Sequence, residues 1–157
     1  MATTIKQIDD FLALKRIAVV GVSRNPKETS YTLWQELRQR RYDVVPVNPA
    51  TPEIDGRRSY ASVRDIDPPV EGALIMTTAA VAEQVLEECV AAGIHRVWLY
   101  GGLGGGATNE ATIAAAERHG LDCVAGHCPY MFLPGTPVFH SIHGFGKKLT
   151  GSYPKPG

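Results

Sequence analysis

An excess of charge of either sign is the first thing this sequence lacks. Its 157 residues carry 16 Lys and Arg against 16 Asp and Glu, for a formal net charge of zero. Without a net basic footprint, counterion release cannot drive general nucleic-acid binding, so no nucleic-acid partner is expected. No polybasic stretch is present to hold the chain on an anionic membrane surface. A local basic patch for one small anion stays open. Long hydrophobic runs are missing too. The longest, Ile17–Val22 and Gly72–Met76, are strand-sized, far short of the ~18 residues of a membrane span. The segment from Met1 to Asp10 has one lysine and no apolar core, so no secretory signal is expected there. Cysteine is scarce and odd in number: Cys89, Cys123 and Cys128. Three thiols without a framework spacing predict reduced cysteines and a cytoplasmic protein. His127, Cys128, His140 and His143 follow no common zinc spacing, so no metal site is expected. No Gly-x-Ser-x-Gly elbow and no close carboxylate pair at a predicted strand end supports a hydrolase.

What is present is an ordinary globular composition, 44% apolar and 20% charged, well away from a disordered chain. Ile5, Ile8, Phe11 and Leu12 have helical spacing and predict a short leading helix. Five runs then read as strands: Arg16–Val20, Tyr42–Val47, Gly72–Met76, Arg96–Tyr100 and Asp122–Ala125. Helical patterns separate them. One starts near Ser30. A second follows Thr78, a good N-cap residue, and stops at Gly93. A third runs from Asn109 to His119 and stops at Gly120. Residues 50–70, with Pro52, Gly56, Pro68 and Pro69, read as loop with one helical turn near Ala61–Asp65. Strands alternating with helices predict an α/β fold: a single doubly wound domain with a mostly parallel sheet of about five strands. We assign residues 1–130 to that domain. Residues 131–157 read as an irregular Pro/Gly-rich tail packed on it.

In such sheets ligands bind beyond the carboxyl ends of the strands, near the point where strand order reverses. Four loops leave those ends: Gly21–Ser30, Val47–Thr51, Met76–Ala80 and Gly101–Asn109. In Gly21-Val22-Ser23-Arg24-Asn25-Pro26, the glycine admits close approach of the backbone to an anion. Ser23 and the backbone N–H groups can donate to phosphate, and Arg24 and Lys27 add charge. The helix that follows favours an anion at its start. This is not the dinucleotide fingerprint, because Ser23 and Pro26 stand where its second and third glycines belong. Asn48-Pro49 replaces the acidic residue that holds the ribose of NAD.

Ile17-Ala-Val-Val-Gly-Val-Ser-Arg-Asn-Pro26, then Ser30-Tyr31, then Tyr42-Asp-Val-Val-Pro-Val-Asn-Pro49 resembles the small CoA-binding protein family. Gly56 with Ser59–Val63, Asp65-Ile66, Val97-Trp98-Leu99 and Cys128-Pro129 match in order after it. That family is Rossmann-like and similar to the CoA-binding domain of the succinyl-CoA synthetase α subunit and of ADP-forming acyl-CoA synthetases. The resemblance implies that coenzyme A, or an acyl-CoA, is the ligand. Its diphosphate would meet Gly21, Val22, Ser23, Arg24, Pro26, Lys27 and the helix start at Ser30 and Tyr31. Val47, Asn48 and Pro49 would lie by the adenosine. Met76, Thr77 and Thr78 would contact CoA from the third strand, and Gly101 and Gly102 would line the pantetheine path. Many relatives place a basic residue after the Asn-Pro for the 3′-phosphate, whereas here Ala50 and Thr51 follow. Lys27, Arg57 and Arg58 are the substitutes.

The expected function is therefore CoA binding without catalysis of its own. The alternatives are an NAD(P)-binding oxidoreductase-like domain, a thiol-dependent or redox-controlled CoA protein using Cys128, and a partner subunit of an acyl-CoA ligase. A homodimer is compatible with a flat domain of this size, but no residue pattern requires one.

Overall fold

The computed structural model describes residues 3–101 and 106–133. Its elements in chain order are α1 (Ile5–Leu12), β1 (Arg16–Val20), α2 (Thr29–Gln39), β2 (Asp43–Val47), β3 (Glu53–Ile54) and β4 (Arg57–Arg58). They continue with β5 (Gly72–Ile75), α3 (Ala79–Ala91), β6 (Arg96–Tyr100), α4 (Glu110–Arg118) and β7 (Asp122–His127). One-turn 3-10 helices lie at Val63–Asp65 and Pro129–Met131. The main sheet has the order β2-β1-β5-β6-β7, and every pairing in it is parallel. The order reverses between β1 and β5, which makes the gap beyond their carboxyl ends the topological switch point.

Alternation along the strands divides the core between two faces. Ala18, Val20, Ala73, Ile75, Val97 and Leu99 pack with Ala82, Leu86 and Cys89 of α3 and Ala115 and Ala116 of α4. Ile17, Val19, Leu74 and Trp98 pack with Ile8 and Phe11 of α1 and Leu33, Trp34 and Leu37 of α2. Covering both faces of a parallel sheet is what its near-continuous apolar strands demand. Trp98 anchors the second face. Its ring meets Phe11 edge-on at 5.5 Å, and its indole N–H donates to the carbonyl of His127 at 2.9 Å.

Charged groups stitch the amino edge of the sheet. Arg16 pairs with Asp43 at 2.6 Å across β1 and β2. Arg96 pairs with Asp122 at 3.1 Å across β6 and β7. Glu71 accepts the backbone N–H groups of Lys15 and Arg16, each at 3.0 Å. Among the described residues, no ion pair crosses the opposite, carboxyl edge.

Two parts of the predicted layout change. Residues 53–58 are a small antiparallel hairpin, β3–β4, rather than plain loop. Its turn is Asp55-Gly56, with φ of 50° and 73°. Asp-Gly with two positive φ values is a strong hairpin signal, and Pro52 directly before two very short strands obscures it in the sequence. The fifth strand of the main sheet also runs on to His127 instead of ending at Ala125. The register shifts there, from Leu99 opposite Ala125 to Tyr100 opposite His127. Gly126, at φ 80°, takes up the extra residue as a bulge. Gly101 then faces the backbone of Gly126 so closely that a Cβ on Gly101 would lie 2.6 Å from its Cα.

Two predictions follow from these contacts. Gly101→Ala must push two backbones apart, so it should lower unfolding stability by about 1–3 kcal/mol in denaturant titration. An unchanged midpoint would refute the contact. The second concerns Glu71. The N–H groups of Arg16 and Lys15 hold its carboxyl below the ordinary 4.5. A depressed carboxylate stabilises the fold above its unfolded-state pKa, and the gain is lost as pH falls through the lowered folded value. Glu71→Gln should be less stable than the parent at pH 7, and the gap should close below the ordinary carboxylate range. A gap that persists into acid would show that the carboxylate charge plays no part.

Candidate functional site

The loops after β1, β2 and β5 are locked together by backbone before any side chain acts. The N–H of Gly21 donates to the carbonyl of Val47 at 2.8 Å, and the N–H of Met76 donates to the carbonyl of Val20 at 2.9 Å. Gly21 adopts φ 94°, and a Cβ there would sit 3.1 Å from the Met76 carbonyl oxygen and 3.2 Å from Cγ2 of Thr77. A side chain at Gly21 is thus crowded by the neighbouring loop as well as strained by its left-handed backbone.

The first loop folds on itself through its hydroxyl and amide groups. The N–H of Ser23 donates to Oγ of Ser30 at 3.0 Å. Oγ of Ser23 accepts from the N–H of Asn25 at 3.0 Å, and Oδ1 of Asn25 accepts from the N–H of Lys27 at 3.0 Å. Arg24, Pro26 and Lys27 are exposed. Neither Arg24 nor Lys27 forms an ion pair among the described residues. Two cations therefore stand beside the switch point with their charge uncompensated.

Helix starts differ around the molecule. The hydroxyl of Thr4 caps α1 in a full capping box with Gln7, and Asn109 does the same for α4 with Thr112. The two helices that flank the switch point lack this. Glu28 precedes α2 without a side-chain bond to it. Thr78 occupies the N-cap of α3 as expected from sequence, but its side chain makes no capping bond. Thr77 instead donates its hydroxyl to the carbonyl of Thr78 at 2.9 Å. The first N–H groups of α2 and α3, and the positive ends of both dipoles, thus lack a side-chain acceptor at this edge.

Asn48 is a structural hub. Its amide donates to the carbonyl of Val22 at 2.9 Å, and its Oδ1 accepts from the N–H of Ala50 at 2.8 Å. Its backbone N–H donates to the carbonyl of Tyr60 at 2.9 Å. These bonds tie the β1 and β2 loops to the chain returning from β4. Val22 and Val47 are buried, so they offer only backbone to a ligand. Pro49 and Ala50 are exposed.

Three of the expected positions look different in three dimensions. The hydroxyl of Tyr31 donates to the carboxylate of Asp55 in the β3–β4 turn, and Gln35 donates to that carboxylate at 2.7 Å. The phenol pKa is raised, first of all by the Asp55 bond. Tyr31 thus clasps α2 to the hairpin, with its hydroxyl engaged. Of the two basic substitutes in β4, Arg57 lies in a groove with Arg38, Asp43 and Val44, towards the amino end of β2. The Arg58 guanidinium stacks over the Tyr60 ring at 4.6 Å. Gly101 is described and faces Gly126. Gly102 lies outside the described residues, as do His140, His143 and the tail from residue 134.

A concavity of about 570 Å³ lies elsewhere, along α3 between Arg64, Glu83, Glu87 and Glu88. Three carboxylates against one arginine repel a polyanion, so the charge pattern favours the strand-end loops for an anionic ligand. Sequence reading also overlooked two tyrosines near Cys128. Tyr100 lies within hydrogen-bond reach of the Cys128 thiol, and Tyr130 sits beside both Cys128 and Thr32. The register of β6 on β7 brings Tyr100 there, and that register depends on the bulge at Gly126.

Comparison with known proteins adds the family. Residues 15–134 match the family described as CoA binding domain. The chain is 28% identical over 128 residues to the α subunit of ADP-forming acetate–CoA ligase II of Pyrococcus furiosus; the match covers 77% of this chain and 28% of that subunit. It is 32% identical over 114 residues to the uncharacterized protein YneT of Bacillus subtilis, covering 73% of this chain and 82% of the relative. The solved structure of a hypothetical protein from Pyrococcus horikoshii superposes with a TM-score of 0.71 at 30% identity, covering 79% of this chain and 85% of that one. The chain therefore spans about a quarter of the ligase subunit but most of the smaller relatives. With the family matched over all four strand-end loops, the chain belongs to the CoA binding domain family.

Proposed function

We propose that the protein binds coenzyme A, or an acyl-CoA, across the carboxyl ends of β1, β2, β5 and β6, and performs no acyl chemistry of its own. One observation carries the placement. The helices that begin at the switch point, α2 and α3, lack side-chain caps, while α1 and α4 have full capping boxes. A diphosphate supplies the oxygen acceptors those N–H groups lack. Membership of the CoA binding domain family supports coenzyme A as that ligand.

In this reading the diphosphate lies by Gly21, with Val22 and Ser23 contributing backbone and Ser30 its hydroxyl. Arg24 and Lys27 add charge from the exposed rim beside Pro26. The adenosine rests on Asn48 and Pro49, next to the backbone of Val47. Met76, Thr77 and Thr78 line the middle of the cleft, and the pantetheine arm passes Gly101 and Gly102. Tyr31 contributes indirectly, by holding α2 against the hairpin. The ligase subunits among the relatives favour a second reading, in which the chain lends its CoA site to a separate ligase polypeptide. Recovery of the tagged protein from its native host without any nucleotide-binding ligase chain would remove that reading.

Calorimetric titration tests the site. CoA should bind in the micromolar range and NAD should not bind; NAD binding without CoA binding would overturn the proposal. Two exposed charges near a helix start are worth about 0.3–1 kcal/mol each. The double change Arg24→Gln with Lys27→Gln, which removes both, should weaken CoA by roughly 3- to 30-fold, with a shallower salt dependence. Unaltered affinity would place the anion elsewhere.

The 3′-phosphate gives a separate prediction. Ala50 stands after Asn48-Pro49, Arg57 lies towards the other end of β2, and Lys27 is exposed. An exposed ion pair contributes at most about 1 kcal/mol, so CoA should be preferred over dephospho-CoA by no more than about fivefold. A hundredfold preference would require a built phosphate pocket and would refute this assignment.

A further inference from the structure

Alternation along β4 sends its two arginines to opposite sides of the hairpin. Arg57 stands opposite Ile54, which is buried in the core of the α1/α2 face. Arg58 stands opposite Glu53 on the other side. Glu53 and Arg58 form no ion pair among the described residues. The Arg58 guanidinium lies instead over the Tyr60 ring, 4.6 Å from its centroid. Tyr60 is half-buried and packs against the core beneath α3, whereas Arg58 is exposed. The ring backs one side of the guanidinium, and the exposure of Arg58 leaves the other side open.

Hydrogen bonds fix this pair beside the carboxyl end of β2. The N–H of Tyr60 donates to the carbonyl of Pro46 at 3.1 Å, and the N–H of Asn48 donates to the carbonyl of Tyr60 at 2.9 Å. Tyr60 thereby pairs with Val47 as a one-residue parallel extension of the sheet. Ser59, between the two stacked residues, is buried. Its hydroxyl donates to the carbonyl of Asn48 at 3.3 Å, and its N–H donates to the carbonyl of Pro52 at 2.9 Å. β1 holds one edge of β2 and Tyr60 holds the other. A ligand that runs from the switch point across Asn48 therefore reaches Arg58 with its far end. A planar cation supported by an aromatic ring, with no ion pair to occupy it, presents a face on which a purine stacks.

We propose that the Arg58 guanidinium, backed by Tyr60, is the platform on which the adenine ring of CoA stacks. The inference rests on the CoA reading above, which places the adenosine at Asn48 and Pro49. It assigns Arg58 to the base and not to the 3′-phosphate. The delocalised plane of the guanidinium is what the base requires, so the compact ammonium of a lysine does not replace it. The platform makes the site selective for thiols that carry a nucleotide over the bare phosphopantetheine arm.

Calorimetric titration of the protein and of its Arg58→Ala and Arg58→Lys variants with CoA, dephospho-CoA and 4′-phosphopantetheine tests this. Arg58→Ala should weaken CoA and dephospho-CoA by the same factor, roughly 3- to 10-fold. Arg58→Lys keeps the charge without the plane, and it should lose about as much. 4′-Phosphopantetheine, which has the arm without the base, should bind the parent and both variants alike. A loss confined to CoA would assign Arg58 to the 3′-phosphate. Parent affinity in Arg58→Lys would reduce the residue to a point charge, and a matching loss of 4′-phosphopantetheine would reduce it to a structural support. Each of these overturns the stacking role, as does unaltered CoA affinity in Arg58→Ala. Arg58→Lys decides the point if Arg58→Ala does not fold. Failure of the parent protein to bind CoA would overturn the CoA reading itself, and this inference with it.

Discussion

The close approach of Gly21 to the Met76 carbonyl and the Thr77 side chain is the constraint on which the carboxyl edge depends. It occurs where strand order reverses, so two crossovers leave the sheet in opposite directions from adjacent strands. The loop after β1 must turn at φ 94° with no Cβ while its N–H reaches the Val47 carbonyl. That single residue therefore aligns three loops at once. A side chain there would meet the Met76 carbonyl at 3.1 Å and strain the turn, so the two loops would have to shift apart.

The two edges of the sheet are built from different chemistry. The amino edge is held by charges: Arg16 with Asp43, Arg96 with Asp122, and Glu71 with two backbone N–H groups. The carboxyl edge is held by backbone bonds, the amide of Asn48 and the hydroxyls of Ser23, Ser30 and Thr77. Ion pairs at the carboxyl edge would place carboxylates beside the open helix starts and compete for them. Arg24 and Lys27 form no ion pair among the described residues, and they stand two against the one exposed carboxylate of Glu28 at the start of α2. A chain of zero formal net charge thus presents a basic local field by segregating its charges, not by having more of one sign.

Much of this was legible in the sequence because local and global signals agree in the main sheet. Arg16–Val20 and Arg96–Tyr100 are strands over the predicted residues, since β-branched runs that must be buried on both faces leave little latitude. The Asn109 cap of α4 was legible for a similar reason, as its capping partner lies three residues away. The less legible features involve contacts between distant residues. Nothing local marks Gly126 as a bulge, because its need arises from β6 lying alongside. Tyr31 reads as a ligand-facing residue at the helix start until the β3–β4 turn brings Asp55 to it. Thr78 reads as a cap by residue type, yet its side chain bonds nothing in the helix. Cys128 and Tyr100 meet only through a register that the bulge sets.

The open helix starts also connect stability to binding. A side-chain cap is worth about 1 kcal/mol to a helix, and α2 and α3 both forgo it at the switch point. A residue that capped them would compete with an anionic ligand for the same N–H groups. A ligand that supplies the missing acceptors binds the folded chain and not the unfolded one, so it raises stability by mass action as it fills the site. On the proposed CoA reading, the same edge trades intrinsic helix stability for ligand-dependent stability. The trade is local: α1 and α4, whose starts lie away from the reversal of strand order, keep their capping boxes, and the core beneath all four helices is continuous on each face.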